Sequence, residues 1–212
     1  MTHYHKFNRE QQHVQKYPCL FSYATEHPDC TFLDCGMGMG NDGLFLQENQ
    51  VIRIGHYLGI DIDGICISLA KSRLPHAHIY KTNVLQLPFR DASIDIVYAN
   101  YLLHCLASNR TIKQAVHEMS RVVKENGLVV GETFSASLDE TIYAEHALQY
   151  VPAHELYRNV LVKTGAVHGT TLSFLAAMFR KEGLHIQVLA EYANAVYDAR
   201  DATRMIHFEL KK

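Results

Sequence analysis

Short apolar runs alternate with helix-like stretches between residue 31 and about residue 134. Residues 109–124 carry their apolar side chains at helical spacing, and Asn126-Gly127 then breaks the pattern. The runs that predict strands are residues 31–34, 56–60, 78–80, 94–99 and 128–130. Strands that alternate with helices in this way predict right-handed crossovers and a mostly parallel sheet.

The C-terminal part of the chain has a different pattern. Residues 171–182 predict a helix that ends at Gly183, and residues 186–192 and 205–210 predict two strands in an antiparallel pair. The predicted fold is therefore an α/β, doubly wound sheet of about seven strands, mostly parallel, with an antiparallel C-terminal strand pair.

Two segments do not fit the alternation of strands and helices. Residues 1–29 are polar with scattered aromatic residues and are interpreted as an N-terminal arm or helix, ahead of a main domain over residues 30–212. Residues 139–168 are interpreted as an insertion into that domain. We expect both segments to form a lid and an acceptor pocket over the carboxyl edge of the sheet. Their aromatic residues for this role are Tyr4, Phe7, Tyr17, Tyr143, Tyr150 and Tyr157.

Composition narrows the class of protein. The chain has 212 residues, enough for one domain with an elaboration, and its net charge is -2. No block of Lys and Arg is present, which argues against a nucleic-acid partner. The five cysteines include no C-x-x-C pair, and no apolar run is long enough for a signal peptide or a membrane span. We expect a cytoplasmic protein without a disulfide framework or a metal site.

The strongest local signal is the segment Asp34-Cys35-Gly36-Met37-Gly38-Met39-Gly40, which follows a predicted strand and precedes a helix. Glycines at this turn let the backbone bend sharply and bring bare amides close to a ligand. Asp61 ends the second predicted strand, where a carboxylate can accept hydrogen bonds from ribose hydroxyls. Together they predict a nucleoside site at the carboxyl edge of the sheet.

Two nucleoside classes fit this site, the NAD-type dinucleotides and S-adenosylmethionine. The dinucleotide pattern G-x-G-x-x-G would need a glycine at Asn41. Asp34, two residues before the first glycine, suits a ligand with an ammonium group better than a pyrophosphate. Both observations favour S-adenosylmethionine.

In several of its segments the chain resembles the class I S-adenosylmethionine-dependent methyltransferases. The glycine segment resembles their first motif, and Gly59-Ile60-Asp61-Ile62-Asp63 resembles their second-strand motif. Further segments resemble the family at residues 82–89, 91–97, 102–104 and 118–127. The resemblance covers about residues 30–134 and implies a Rossmann-like fold and S-adenosylmethionine as cofactor.

The resemblance also implies residue roles at the methionine end of the cofactor. Gly36, Met37, Gly38 and Gly40 would back the methionine moiety, and Asp34 would help to hold its ammonium group through the loop or a water molecule.

The remaining cofactor roles are implied in the same way. Asp61 would bind the ribose, and Ile62 would pack on the adenine. Asn83 stands where the family usually has Asp, and its side-chain oxygen could still accept a bond from the adenine amino group. Val84 would offer its backbone amide to the adenine ring, and Asn100 would lie near the methionine tail.

Three aromatic residues on or after the fourth strand, expected to face the methyl site, are the catalytic candidates, namely His104, Tyr101 and Tyr98. Each has an alternative structural interpretation, as a core residue or as a partner of a backbone group. A general base is needed only if the nucleophile starts protonated. The predicted function is transfer of a methyl group to a small-molecule or side-chain nucleophile. The alternatives are an S-adenosylmethionine-binding module that has lost catalysis, and an RNA methyltransferase, which the balanced charge disfavours.

Overall fold

A computed structural model describes residues 17–135, 170–194 and 203–212. The strands of this described part are β1 (Phe32–Cys35), β2 (Tyr57–Asp61), β3 (His78–Lys81), β4 (Ile94–Tyr98), β5 (Val123–Phe134), β6 (His185–Asn194) and β7 (Thr203–Lys211). Its α-helices are α1 (Pro18–Glu26), α2 (Asn41–Glu48), α3 (Gly64–Arg73), α4 (Asn109–Val122) and α5 (Leu172–Lys181). Short 3-10 turns lie at Ile54–His56 and Leu103–Cys105.

The seven strands form one sheet in the order β3-β2-β1-β4-β5-β7-β6. The first five strands in this order run parallel, whereas β7 runs antiparallel to both β5 and β6. The predicted Rossmann-like sheet with an antiparallel C-terminal pair is confirmed. The sequence did not predict that β7 inserts between β5 and β6.

Strand β1 pairs with β2 on one side and with β4 on the other. The strand order therefore reverses after β3, and the carboxyl ends of the parallel strands β1 and β4 lie side by side at this switch point. In doubly wound sheets this switch point is where ligands bind.

Apolar side chains cover both faces of the sheet. On one face, α4 and α5 pack residues such as Met119 and Phe179 against the strands. On the other face, α1, α2 and α3 contribute residues such as Leu20, Phe45 and Ile67. Each fully buried side chain of this kind contributes roughly 1.5–3 kcal/mol to folding. The sheet is therefore supported by packed side chains on both faces.

Several local predictions can be compared with the structure. Asp63 has a residue type that favours the N-cap, and it caps α3, since its carboxyl group accepts a hydrogen bond of 2.8 Å from the Ile65 amide. By residue type Asn41 and Asp42 are plausible N-caps of α2, but neither of them caps it. Gly40 occupies the cap position with φ 74°, a left-handed conformation that costs glycine little, and α2 has no side-chain cap.

The predicted start of β5 at residue 128 is also wrong, because the strand follows α4 directly from Val123. Asn126 adopts φ 66° inside it, and the pairing with β4 shifts between Ile94 and Ile96. Asparagine tolerates the left-handed region better than most residues, which lets the chain bend there without ending the strand.

The predicted arm and insertion fall largely outside the described residues. Of the six aromatic residues expected in the lid, only Tyr17 lies in the described part, directly before α1. No helix in the described ranges is both long and apolar enough to cross a membrane.

Candidate cofactor site

The glycine loop, residues 36–40, joins β1 to α2 at the carboxyl edge of the sheet. Gly36, Gly38 and Gly40 have φ of 73°, 54° and 74°. A Cβ atom on Gly36 would lie 2.8 Å from a Leu102 side-chain carbon, so a larger residue would clash there. A Cβ atom on Gly38 would meet nothing within 4 Å, which shows that open space lies above the loop. The loop therefore offers bare backbone to a ligand.

Two contacts fix the loop against β2. The amides of Gly36 and Met37 both donate to the Ile60 carbonyl oxygen, at 2.9 and 3.0 Å. The Gly38 amide donates to the Asp61 carboxyl Oδ2 at 2.9 Å. The loop and the acid that were predicted to share a nucleoside site are thus in direct contact.

Asp61 is the last residue of β2 and is half-buried. The Asp63 amide donates to its Oδ1 at 2.9 Å, so each carboxyl oxygen has one backbone donor. A carboxylate oxygen accepts more than one bond, so both retain acceptor capacity for vicinal hydroxyls. Ile62 follows with 66% of its surface exposed, which leaves an apolar side chain beside the acid.

A buried polar group lies beneath the loop. The Tyr57 hydroxyl donates to the Asp34 carboxyl Oδ2 at 2.6 Å, and both side chains are buried. Burial raises the pKa of Asp34 to about 8, nearby Asp42 adds to this, and the Tyr57 hydrogen bond opposes it. Asp34 is therefore a carboxyl group with a strong preference for a proton or a cation nearby.

Asp42, in the first turn of α2, accepts hydrogen bonds from two other side chains. Its Oδ2 accepts from the Tyr98 hydroxyl at 3.1 Å and from Asn100 Nδ2 at 2.8 Å. The Tyr17 hydroxyl donates to Asn100 Oδ1 at 3.1 Å. The sequence did not assign a ligand role to Asp42, although an acid directly after a glycine loop is a visible signal.

Comparisons with known proteins agree with this geometry. A family model described as a methyltransferase domain matches residues 33–131. A relative from Mycobacterium tuberculosis, named a probable S-adenosylmethionine-dependent methyltransferase, is 27% identical over 191 residues, 82% of this chain and 66% of that one. The family model and this relative support the class I S-adenosylmethionine-dependent methyltransferase superfamily.

Solved structures support the fold of this chain. An S-adenosylmethionine-dependent methyltransferase from Mesorhizobium loti has a TM-score of 0.66 at 17% identity, with 93% of this chain and 97% of that chain covered. The YcgJ protein of Bacillus subtilis has a TM-score of 0.63 at 18% identity, with coverage of 86% and 92%. At these identities the likeness concerns the fold alone.

These comparisons support the predicted superfamily and S-adenosylmethionine as its cofactor. The chain spans 66% of the length of the M. tuberculosis relative. The activity, substrates and partners of the whole protein are therefore proposals.

The residues present fit the cofactor. The open space above Gly38, the doubly held Asp61 carboxyl group and the exposed Ile62 side chain suit a nucleoside with a free ribose. Asp34 and Asp42 suit an ammonium group nearby. The assignment of individual contacts stays a prediction.

The adenine contacts predicted after β3 look different in detail. Asn83 is exposed, and its Oδ1 accepts from the Leu85 amide at 3.0 Å, which closes a tight turn. A bond from an adenine amino group would have to use the remaining lone pair of that oxygen. The Val84 side chain is buried in the core, so its part in the site is limited to its backbone.

The three catalytic candidates lie in different surroundings. Tyr98 is buried with its hydroxyl donated to Asp42, so it forms part of the wall of the site. His104 is buried, and its Nδ1 lies 3.4 Å from the Thr133 hydroxyl. Tyr101 is half-buried, adopts φ 54° and has its ring edge-on to His104 at 6.1 Å. Among the three, Tyr101 has the most access to an incoming molecule.

Across residues 17–135, 170–194 and 203–212, no three His, Cys, Asp or Glu side chains are arranged to hold a metal ion. That the protein works without a metal stays a prediction.

Proposed function

We propose that this chain transfers a methyl group from S-adenosylmethionine to a small-molecule nucleophile by in-line displacement. One observation supports the proposal most directly. The loop contains three left-handed glycines, open space lies above Gly38, and the Gly38 amide is bonded to the Asp61 carboxyl group at the switch point of the sheet. This arrangement suits a nucleoside that carries an amino-acid tail.

Our proposed contacts follow from the positions of the side chains. The Asp61 carboxyl group would bind the ribose hydroxyls, and Ile62 would cover one face of the adenine. Asn83 and the Val84 amide would contact the adenine edge. The glycine loop with Met37, Asp34 and Asn100 is assigned to the methionine end. These assignments keep the roles that the sequence suggested.

When bound, S-adenosylmethionine supplies a methyl group that the positive sulfur has already made electrophilic. The work left to the protein is alignment and the exclusion of water, and alignment of this kind can contribute on the order of 7–11 kcal/mol. Tyr101 is our candidate for acceptor contact. Its left-handed backbone costs roughly 1–2 kcal/mol and is held by a 2.8 Å bond from its amide to the Glu132 carbonyl oxygen.

His104 suits a role other than proton removal. Burial lowers its pKa from 6.5 to about 3, so the imidazole is neutral at physiological pH and accepts protons weakly. We assign it to hydrogen bonding at the acceptor side and to support of the Tyr101 ring. An acceptor that enters already deprotonated, or that loses its proton to solvent, suits this site.

The proposed class of methyl acceptor rests on the charge composition of the chain. The balanced composition, with a net charge of -2 and no Lys or Arg block, favours a small molecule over a nucleic acid. The competing function is a binding module without catalysis, and turnover separates the two.

The test has two parts. Calorimetric titration should show binding of S-adenosylmethionine and S-adenosylhomocysteine but not of NAD. A panel of small hydroxyl, amine and thiol compounds should then give acceptor-dependent formation of S-adenosylhomocysteine. NAD binding without binding of either sulfur nucleoside would contradict the proposal, and tight nucleoside binding without any turnover would favour the binding module.

We further propose a reducing, cytoplasmic location. The five cysteines form no disulfide, and Cys30, Cys35 and Cys66 are buried as thiols. Thiol titration of protein isolated from its native cells should find five free thiols after unfolding, and fewer would count against this location.

A further inference from the structure

A chain of hydrogen bonds leads from the start of the described N-terminal part to the glycine loop. The Tyr17 hydroxyl donates to Asn100 Oδ1 at 3.1 Å, and Asn100 Nδ2 donates to Asp42 Oδ2 at 2.8 Å. Asp42 lies two residues after Gly40, the last glycine of the loop. The Asp42 carboxyl group accepts, so it selects the orientation in which Asn100 Nδ2 faces it, and the bond from the Tyr17 hydroxyl to Oδ1 stabilises that orientation.

Tyr17 is itself held firmly in place. Its side chain is buried, and its ring packs edge-on against Tyr98 at 5.6 Å between centroids. On another side it contacts the His207 ring at 4.9 Å. Contacts with two rings from different strands leave the Tyr17 hydroxyl little freedom to turn away from Asn100.

His207 in turn lies between two buried acids of the antiparallel strands. Its Nε2 is 3.4 Å from Glu209 and its Nδ1 is 3.7 Å from Glu132. Glu209 also accepts a 3.0 Å bond from the Leu20 amide in the first turn of α1. Glu209 therefore contacts both the His207 ring and the helix that begins next to Tyr17.

Asn100 is half-buried, and its amide retains capacity beyond these two bonds. Nδ2 has a second N–H and Oδ1 has a second lone pair. An amino-acid tail presents a carboxylate that accepts and an ammonium that donates, so an amide in a fixed orientation can serve both. If the amide were turned over, donor and acceptor would be exchanged.

We propose that Tyr17 is a positioning residue for the amino-acid end of the cofactor, acting through the orientation of Asn100. This inference rests on the proposed cofactor site and adds to it a residue far away in the sequence. In this proposal His207 and Glu209 hold Tyr17 in place near the amino-acid end of the cofactor.

The test compares two nucleosides that differ only at the relevant end. S-Adenosylhomocysteine has the amino-acid tail, whereas 5′-methylthioadenosine keeps the adenosine and the thioether but lacks the carboxylate and the ammonium. Calorimetric titration measures both affinities for the wild-type protein and for Tyr17→Phe, a variant that removes the hydroxyl and keeps the ring contacts. Two control variants are Tyr23→Phe, the same change at a tyrosine on α1, and Asp61→Ala.

The Tyr17→Phe variant loses one hydrogen bond, so its affinity for S-adenosylhomocysteine should fall roughly 3- to 10-fold. Its affinity for 5′-methylthioadenosine should change less than about twofold. Tyr23→Phe should change neither affinity, and Asp61→Ala should weaken both. Unchanged S-adenosylhomocysteine binding by Tyr17→Phe, or an equal loss for both nucleosides, would overturn the role of Tyr17. If wild-type protein binds neither nucleoside, the proposed cofactor site itself is wrong.

Discussion

At the scale of single residues, Asp61 offers the sharpest prediction. Asp61→Ala should weaken cofactor binding, because each hydrogen bond from a ribose hydroxyl to the carboxylate contributes roughly 1.5–3 kcal/mol before compensation. The free energy of unfolding should fall by about 1 kcal/mol as well, since the Gly38 and Asp63 amides lose their acceptor. Calorimetry and urea unfolding on the same variant measure the two effects separately.

Asp63→Ala is the matched control for this experiment. Asp63 caps α3 through the Ile65 amide, so its loss should cost about 1 kcal/mol of stability and leave the affinity nearly unchanged. If Asp61→Ala behaves like Asp63→Ala, then Asp61 is structural and the ribose assignment fails.

The sequence could place Asp34 and Asp61 because both belong to short apolar strands, and strand ends in a parallel sheet converge on one edge. Tyr17 could not be placed in this way. Its hydroxyl partner lies 83 residues away, and no local pattern encodes that contact. Asp42 was misjudged because an acid near a helix start is typical of a cap, whereas Gly40 already fills that position.

At the scale of elements, Arg121 joins α4 to the loop that follows Asn83. Its guanidinium donates to the carbonyl oxygens of Leu87 and Phe89 at 3.0 and 2.8 Å, and to Glu118 at 2.8 Å. Arg121→Met would leave two carbonyls and a partly buried acid without this donor. We expect a loss of about 1–3 kcal/mol in the free energy of unfolding, measured with urea.

Arg53→Met is the control for that measurement. Arg53 pairs with Asp29, but both side chains are more than half exposed, so the change should cost less than about 1 kcal/mol. Equal losses for the two variants would show that Arg121 is no more than a surface partner. A larger loss for Arg121→Met would identify it as the residue that ties the predicted adenine loop to the helix layer.

The positions of helices and strands were predictable wherever the apolar pattern fitted only one kind of element. Strands β1 to β4 lie within two residues of their predicted ends, because each is a short buried run bounded by polar residues. The position of β7 between β5 and β6 was not predictable, since pairing across the sheet depends on the whole fold. In β7 the alternation of polar and apolar residues is typical of a half-exposed strand. Even so, His207 and Glu209 are buried, together with Tyr17 and Leu20.

At the scale of the whole molecule, one face of the sheet buries a row of ionisable groups. Asp34 lies on β1 beneath Asp42, and His207 lies on β7 between Glu132 and Glu209. Burial of such groups ties the stability of the entire fold to pH, because the folded and unfolded chains bind protons differently.

Both sites shift stability in the same direction. Burial raises the Asp34 pKa from 3.8 to about 8, so the folded chain keeps a proton that the unfolded chain releases. Burial alone would lower the His207 pKa, but Glu132 and Glu209 raise it above 6.5 overall. A raised pKa means that stability is present at low pH and is lost as pH rises toward the folded-state pKa. The ligand-free protein should therefore lose stability between about pH 5 and pH 8.

Two conservative variants divide this loss between the sites. Asp34→Asn keeps an oxygen for the Tyr57 hydroxyl but cannot titrate, so it should remove a slope approaching about 1.4 kcal/mol per pH unit below the Asp34 pKa. His207→Gln should remove only the part of the stability loss that occurs above about pH 6.5. Urea unfolding without nucleoside, repeated across this pH range, measures all three slopes. If Asp34→Asn and wild type lose stability in parallel as pH rises, then Asp34 is already ionised in the folded protein. Its negative charge must then be compensated by a positive charge outside this row of buried groups.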